Sequence, residues 1–301
     1  MSHAMPNDNQ LAALLGRCTF PTTETVVTCA VSGGADSTAL LVLALAAGLQ
    51  VTAVHVDHGL REGSATEADV VRANALQLGA AFRAARVDLV DGPNLEARAR
   101  AARYAVLPGD VLTGHTADDQ AETVLVNLLR GASTSGLAAM RPGHRHPILS
   151  LRRSETVELC AALDLPVVND PSNLESRHLR NRVRHELLPL MAQLSQRDLA
   201  PVLARQAGLA RDDDELLNEL ATALDPTDAR ALAAAPVALA RRAVRRWLAG
   251  SHPPDAATVE RVLQVARGHA VATEVGGGRR VERHQQRLSL GADEQAAHRV
   301  T

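Results

Sequence analysis

The sequence predicts an α/β fold, a parallel sheet with helices on both faces, followed by a smaller and mainly helical unit. Three observations predict it. From about Glu24 to Gly114 strand-like and helix-like segments alternate, the signature of a parallel sheet built from crossovers. The apolar run Val26 to Val31 ends in Ser32-Gly33-Gly34-Ala35-Asp36-Ser37 and passes into Thr38-Ala39-Leu40-Leu41-Val42-Leu43, a strand, a tight turn and a helix. Beyond Gly131 the texture changes to a Ser/Gly/Pro/His-rich stretch through Pro147 and then to helical patterns.

Each element follows from its residues. Strands are expected at 26–31, 51–56, 82–87 and 110–113, with helices at 37–47, 64–79 and 95–106 between them. Three turns follow strand ends, at Ser32 to Ser37, at His55-Val56-Asp57-His58-Gly59 and at Gly114-His115. Ligands bind at that edge of open α/β sheets, so these turns should converge on one crevice. Residues 131–147 read as an irregular surface loop, and Asn169-Asp170-Pro171-Ser172-Asn173 as a further turn. The expected division is a nucleotide-binding and catalytic domain over 1–195, a linker helix over 196–224 and a small domain over 225–301.

Composition bounds the chemistry. The chain has 301 residues, enough for two domains, and all 32 of its basic side chains are arginines. The absence of lysine excludes a Walker A loop, a kinase-type strand lysine and any Schiff-base mechanism. A net charge of −2 hides arginine clusters at Arg177 to Arg184, Arg241 to Arg246 and Arg279 to Arg287, each suited to an anionic polymer or to a solvated helix face. Cys18, Cys29 and Cys160 have no metal-ligand spacing, which points to a reducing cytoplasm. The apolar run Ala39 to Ala47 is too short to span a bilayer.

The Ser32 to Ser37 turn has the parts of a phosphate cradle. Gly33 and Gly34 let the backbone approach an anion, Ser32 and Ser37 offer hydroxyls, and the following helix presents its unpaired N–H groups. Asp36 would repel phosphates unless a divalent cation lay between them, so Mg²⁺ is expected on Asp36; a plain helix-capping turn is the alternative. In Gly114-His115-Thr116-Ala117-Asp118-Asp119-Gln120-Ala121-Glu122-Thr123, Asp119 and Glu122 are three apart and share one helix face. Such a pair suits a second metal or a substrate ammonium, and one carboxylate could take the ammonium's proton; a well-capped amphipathic helix is the plain alternative. His55, Asp57 and His58 fit a metal pair, a wall beside adenine or simple turn chemistry, and no zinc site is assigned. Glu96, Arg100 and Arg103 fit solvated ion pairs or an arginine aimed at an acyl or phosphoryl group.

Taken together, these residues resemble the tRNA(Ile)-lysidine synthetases, a branch of the PP-loop ATP pyrophosphatases. The resemblance rests on Ser32 to Ser37, His55 to Arg61, Asn94 to Tyr104, Gly114 to Thr123, Leu128 to Gly131, Asp170 to Asn173 and Arg180 to Arg184, and covers most of residues 24–190. Ser133, His146, Asn169 and Val275 depart from the family pattern. The resemblance implies a five-stranded Rossmann-like sheet of the adenine nucleotide α-hydrolase type and a C-terminal tRNA-binding domain. It implies ATP and Mg²⁺ as cofactors, and L-lysine and a CAU-anticodon tRNA(Ile) as partners; related enzymes suggest a homodimer. Ser32, Gly33, Gly34, Ala35, Asp36, Ser37, His55 and Asp57 would then bind nucleotide. Asp119 and Glu122 would receive lysine, with His115 and Arg100 near the adenylated base. Arg180, Arg182 and Arg184, with Arg241, Arg245 and Arg246, would contact RNA. The alternatives are a PP-loop thiolase, an amidotransferase-type synthetase and an ATP-binding module without chemistry.

Overall fold

The computed structural model describes residues 8–57, 64–87, 98, 101–102, 105–168, 179–250 and 253–292. Two units divide the chain, Met1–Leu209 and Ala210–Thr301. In the first, β1 (Val26–Ala30), β2 (Gln50–Asp57), β3 (Ala81–Arg86) and β4 (Leu112–Thr113) form a parallel sheet in the order β3-β2-β1-β4. The chain runs outward from β1 through β2 to β3, then returns to the other side of β1 for β4. The order therefore reverses between β1 and β4, and open α/β sheets place ligands at the carboxyl ends of the strands at that switch point. Both motif turns leave there, Ser32 to Ser37 after β1 and Gly114-His115 after β4.

Apolar strand residues and a helix apolar on most sides explain the core. Leu40, Leu41 and Leu43 of the helix Ala35–Ala46 are fully buried, together with Cys29 and Ala53 of the sheet and Ile148, Leu151 and Leu159 from beyond it. A helix this enclosed has no solvent face to mobilise, so the turn at its amino end is held rigidly. Val54, Leu107 and Val111 form a smaller cluster.

Among the described residues the sheet has four strands, which corrects the expected five. The segment Leu165-Pro166-Val167-Val168 comes up beside the loop after β1, but Pro166 has no amide to give a ladder. One backbone hydrogen bond joins it there, from Val168 N–H to the Gly33 carbonyl at 2.9 Å. The expected helix over 95–106, with Glu96, Arg100, Arg103 and Tyr104, lies mostly outside the described residues. His58, Asn169, Arg177 and the turn Asp170 to Asn173 lie outside them too.

In the second unit the helices Ala229–Ala234, Val237–Leu248 and Ala256–Arg267 pack with an antiparallel sheet of β5 (Ala272–Gly276), β6 (Arg279–His284) and β7 (Arg287–Ala292). The sheet opens at Ala272, in a unit expected to be mainly helical. Gly276, Gly277 and Gly278 all take positive φ, at 84°, 62° and 65°, and turn β5 into β6, a bend that residues with a Cβ make only under strain.

One glycine fixes the relation between the two motif turns. A Cβ on Gly114 would lie 2.7 Å from the Asp36 carbonyl oxygen and 2.9 Å from the Ser37 Cα. Those neighbours are backbone at the start of a buried helix and have nowhere to go. Gly114→Ala is expected to lower unfolding free energy by about 1–3 kcal/mol through overpacking, read as a shift in the urea midpoint; an unchanged midpoint would contradict the close approach.

Candidate active site

The loop after β1 folds around its own hydroxyls. Ser37 Oγ accepts the Ser32 amide at 3.1 Å, lies 3.2 Å from Ser32 Oγ and donates to the Gly34 carbonyl at 2.9 Å. Gly33 takes φ of 95°, and a Cβ there would meet Val168 Cγ2 at 2.7 Å. Gly34 is the residue before the helix, and Ala35 and Asp36 open its first turn. The loop is thus a preformed concavity at a helix amino terminus, suited to an anion.

The helix Ala117–Leu129 starts on its own acid. Asp119 Oδ2 accepts the Thr116 amide at 2.9 Å and the Thr116 hydroxyl at 3.0 Å. This capping geometry uses one carboxylate oxygen and leaves Oδ1 facing away from the helix end. Glu122, one turn on, is fully buried.

The loop and the acid helix meet at Arg153. Its guanidinium donates from Nε to Asp36 Oδ2 at 3.2 Å, from Nη2 to Asp119 Oδ1 at 3.0 Å and from Nη1 to Glu122 Oε1 at 3.1 Å. The three carboxylates singled out from the sequence therefore share one cation. Two more arginines close the cluster. Arg180 reaches Glu122 Oε2 at 2.7 Å and Asp119 Oδ1 at 2.9 Å, and Arg184 reaches Glu122 Oε1 at 2.6 Å and Asp119 Oδ1 at 3.6 Å. Beside them Arg152 takes Asp118 through two bonds of 2.8 and 3.0 Å and also pairs with Asp198. Asp118 Oδ2 accepts the Arg153 backbone amide at 2.8 Å.

The electrostatics differ between the halves. Burial pushes the Asp36 carboxyl above its ordinary range, against the Thr156 hydroxyl that donates to it and the charge of Arg153. At Asp119 burial works upward too, but Arg153 and Arg180 overcome it and hold the carboxyl below the usual range. Burial therefore prevails at Asp36, whereas the arginines prevail at Asp119.

The other expected residues fall into place less uniformly. His55 is buried, with Nδ1 on the Val31 carbonyl at 3.0 Å; it ties β2 to the start of the loop. Asp57 ends β2 and is half-buried. Arg182 points away from the cluster and pairs with Glu186 at 3.1 Å on the surface. In the second unit Arg241 pairs with Glu260, Arg246 donates to the Ala221 carbonyl at 2.8 Å, and all three of Arg241, Arg245 and Arg246 are exposed.

Sequence reasoning missed Arg152 and Arg153. The signal was available, because two arginines at the first turn of the helix Arg153–Ala162 oppose its dipole and need anions in front of them. Helical spacing would likewise have separated Arg180 and Arg184, four apart and on one face, from Arg182.

His115 is held through Thr113. Its Nδ1 lies 2.8 Å from Thr113 Oγ1, and His146 Nδ1 lies 2.7 Å from the same oxygen, with the two rings edge to face at 4.9 Å. The hydroxyl has one proton, which it donates to the Arg145 carbonyl at 3.0 Å. A hydroxyl committed to that carbonyl accepts from both imidazoles, an arrangement in which each neutral ring carries its proton on Nδ1. Long-range ¹H–¹⁵N correlation spectra should show Nδ1 protonated and Nε2 bare in both; a ring with the reverse pattern would contradict this proton count.

A cradle at a switch point, fused to an acid helix by shared arginines, defines a PP-loop nucleotide-binding protein. The PP-loop domain family matches residues 6–191, and the TilS substrate binding domain family matches residues 228–289. The chain is 41% identical over 280 residues to a tRNA(Ile)-lysidine synthase of Nocardia farcinica, covering 86% of this chain and 88% of that one. It is 44% identical to the synthase of Mycobacterium leprae over 73% of each chain, and 38% identical to that of Thermobifida fusca over 89% of this chain and 92% of that one. The chain belongs to the tRNA(Ile)-lysidine synthase family. Its fold is shared by a U34-tRNA thiolase of Methanococcus maripaludis solved with its iron–sulfur cluster, at a TM-score of 0.54 and 17% identity over 67% of this chain and 78% of that one.

Proposed function

We propose that this chain joins L-lysine to C2 of the wobble cytidine of a CAU-anticodon tRNA(Ile), using ATP and releasing pyrophosphate and AMP. The observation that carries the reading is the single guanidinium shared by Asp36, Asp119 and Glu122. A phosphate cradle and an acidic seat that touch one side chain are close enough for an activated base to meet an amine.

Two steps divide the residues. In the first, cytosine O2 attacks the α-phosphorus and pyrophosphate leaves, held by Ser32, Gly33, Gly34, Ala35 and Ser37 at the helix amino terminus. In the second, the lysine ε-amine, seated and deprotonated at Asp119 and Glu122, attacks C2, and AMP leaves. His55 and Asp57 border the nucleotide and His115 faces the adenylated base; Arg100, outside the described residues, is assigned to the same base by the resemblance. RNA is held by arginines, Arg182, Arg241, Arg245 and Arg246 on exposed faces and Arg180 and Arg184 where the acid pair faces the base. Its place of action on this reading is the cytoplasm. Among the described residues no helix is long and apolar enough to cross a membrane.

Asp36 suits a divalent cation. It is an oxygen donor beside the phosphate cradle, held by Arg153 and Thr156, and burial pushes its carboxyl above the ordinary range. One carboxylate completed by phosphate oxygens and water is how proteins hold Mg²⁺. When bound, the ion neutralises charge on the leaving pyrophosphate.

The thiolase alternative needs an accessible thiolate, and the cysteines do not offer one. Burial pushes the Cys29 and Cys160 thiols up to about 12 and the Cys18 thiol to about 11.

Pyrophosphate release with tRNA(Ile), measured with and without lysine, tests the division of labour. Asp36→Asn should slow pyrophosphate release by about 10²–10³ while tRNA affinity holds. Asp119→Asn should retain release but make no lysidine. Identical failure of both variants at the first step would refute the assignment.

A further inference from the structure

We infer that Arg153 occupies the amine's seat and leaves it only for a polyphosphate, so that nucleotide and lysine bind with positive coupling. The inference rests on the reading of Asp119 and Glu122 as that seat, and deepens it by assigning the order in which the site fills.

Charge comes first. Asp36, Asp119 and Glu122 face Arg153, Arg180 and Arg184 within ion-pair distance, three carboxylates against three guanidiniums. The cluster is neutral, and neighbouring Asp118 is matched by Arg152. An ammonium approaching Asp119 and Glu122 in this half-buried site meets carboxylates already paired with guanidiniums. Arginine stays protonated, so it cannot yield by losing charge. It yields by finding another anion, and the cradle beside Asp36 is where one arrives.

Geometry singles out Arg153 among the three. Among the described residues it alone touches both the loop carboxylate and the acid pair, so its guanidinium lies between the places where the activated phosphorus and the amine must approach. Its contacts, 3.0–3.2 Å, are longer than the 2.6 and 2.7 Å that fix Glu122 to Arg184 and Arg180. Its backbone is pinned by Asp118 at 2.8 Å, so the side chain can swing while the helix stays. With Arg153 turned to phosphate, Glu122 keeps Arg180 and Arg184, and Asp119 Oδ1, still held by Arg180 at 2.9 Å, regains one acceptor position for an ammonium. The exchange also guards the site, because lysine is seated only where a nucleotide already waits.

Titration calorimetry of the whole protein with L-lysine, with and without Mg²⁺ and α,β-methylene-ATP and without tRNA, tests this. Lysine should bind about 5- to 150-fold more tightly with the analogue present, the usual span of coupling between two sites, and lysine should tighten the analogue by the same factor. In Arg153→Gln lysine should bind without nucleotide and the factor should fall toward one. Equal lysine affinity in the wild-type protein with and without the analogue overturns the inference, as does undetectable binding in both or coupling that persists in Arg153→Gln. The wild-type titrations decide the coupling even if the variant fails to fold. Lysine binding unaffected by Asp119→Asn would instead refute the seat itself, whatever the coupling.

Discussion

Three carboxylates from two separate turns can be buried side by side only because guanidiniums lie among them. An unpaired carboxylate in Glu122's fully enclosed position would cost several kcal/mol, and Asp36 and Asp119 would repel one another across the same space. Arg180 and Arg184 share in removing the first penalty with Arg153, and Arg153 alone stands between Asp36 and the acid pair among the described residues, its planar fork presenting donors in three directions. A lysine ammonium there would be a point charge and could not bridge the three acids with comparable geometry. The loop, the acid helix and the helix Arg153–Ala162 are therefore held together by electrostatic matching at their ends rather than by apolar packing alone.

The sheet supplies the precondition. Because β4 lies on the opposite side of β1 from β2, the turns after β1 and β4 are neighbours at the edge where strand order reverses. Gly114 lets them approach to backbone contact, and the buried helix Ala35–Ala46 keeps Asp36 from drifting. Thr113 then does two jobs at the end of β4: its backbone hydrogen-bonds Arg145, and its hydroxyl gathers His115 and His146. The segment carrying Arg145 and His146 leads directly into Ile148 and Leu151, which are buried in the main core, so His146 and Arg153 are placed by one continuous stretch.

Much of this was legible in the sequence, where chemistry was local. The turn at Ser32 to Ser37, the strands before and after it, and the spacing of Asp119 and Glu122 all announce themselves within a dozen residues. What stayed hidden was long-range pairing. Arg153 is 117 positions from Asp36 in the chain, and no local pattern ties them; only the anomaly of arginines at a helix start hinted at an anion. Arg180 and Arg184 were read as an outward-facing basic cluster because sequence gives charge without direction, and the structure turns both onto Glu122. The residue patterns announce four strands and the sheet has four among the described residues; the fifth was implied by the resemblance alone.

The central claim is that Asp36 and Asp119 belong to one electrostatic unit through Arg153. A double-mutant cycle on unfolding free energy tests it most directly, with Asp36→Asn, Asp119→Asn and the pair compared in urea. Shared dependence on one guanidinium predicts non-additive effects, with an interaction energy of about 0.5–3 kcal/mol, whereas sites without shared partners add to within about 0.5 kcal/mol. Strict additivity would mean that the two acids do not share a partner, and the account built on Arg153 would be contradicted.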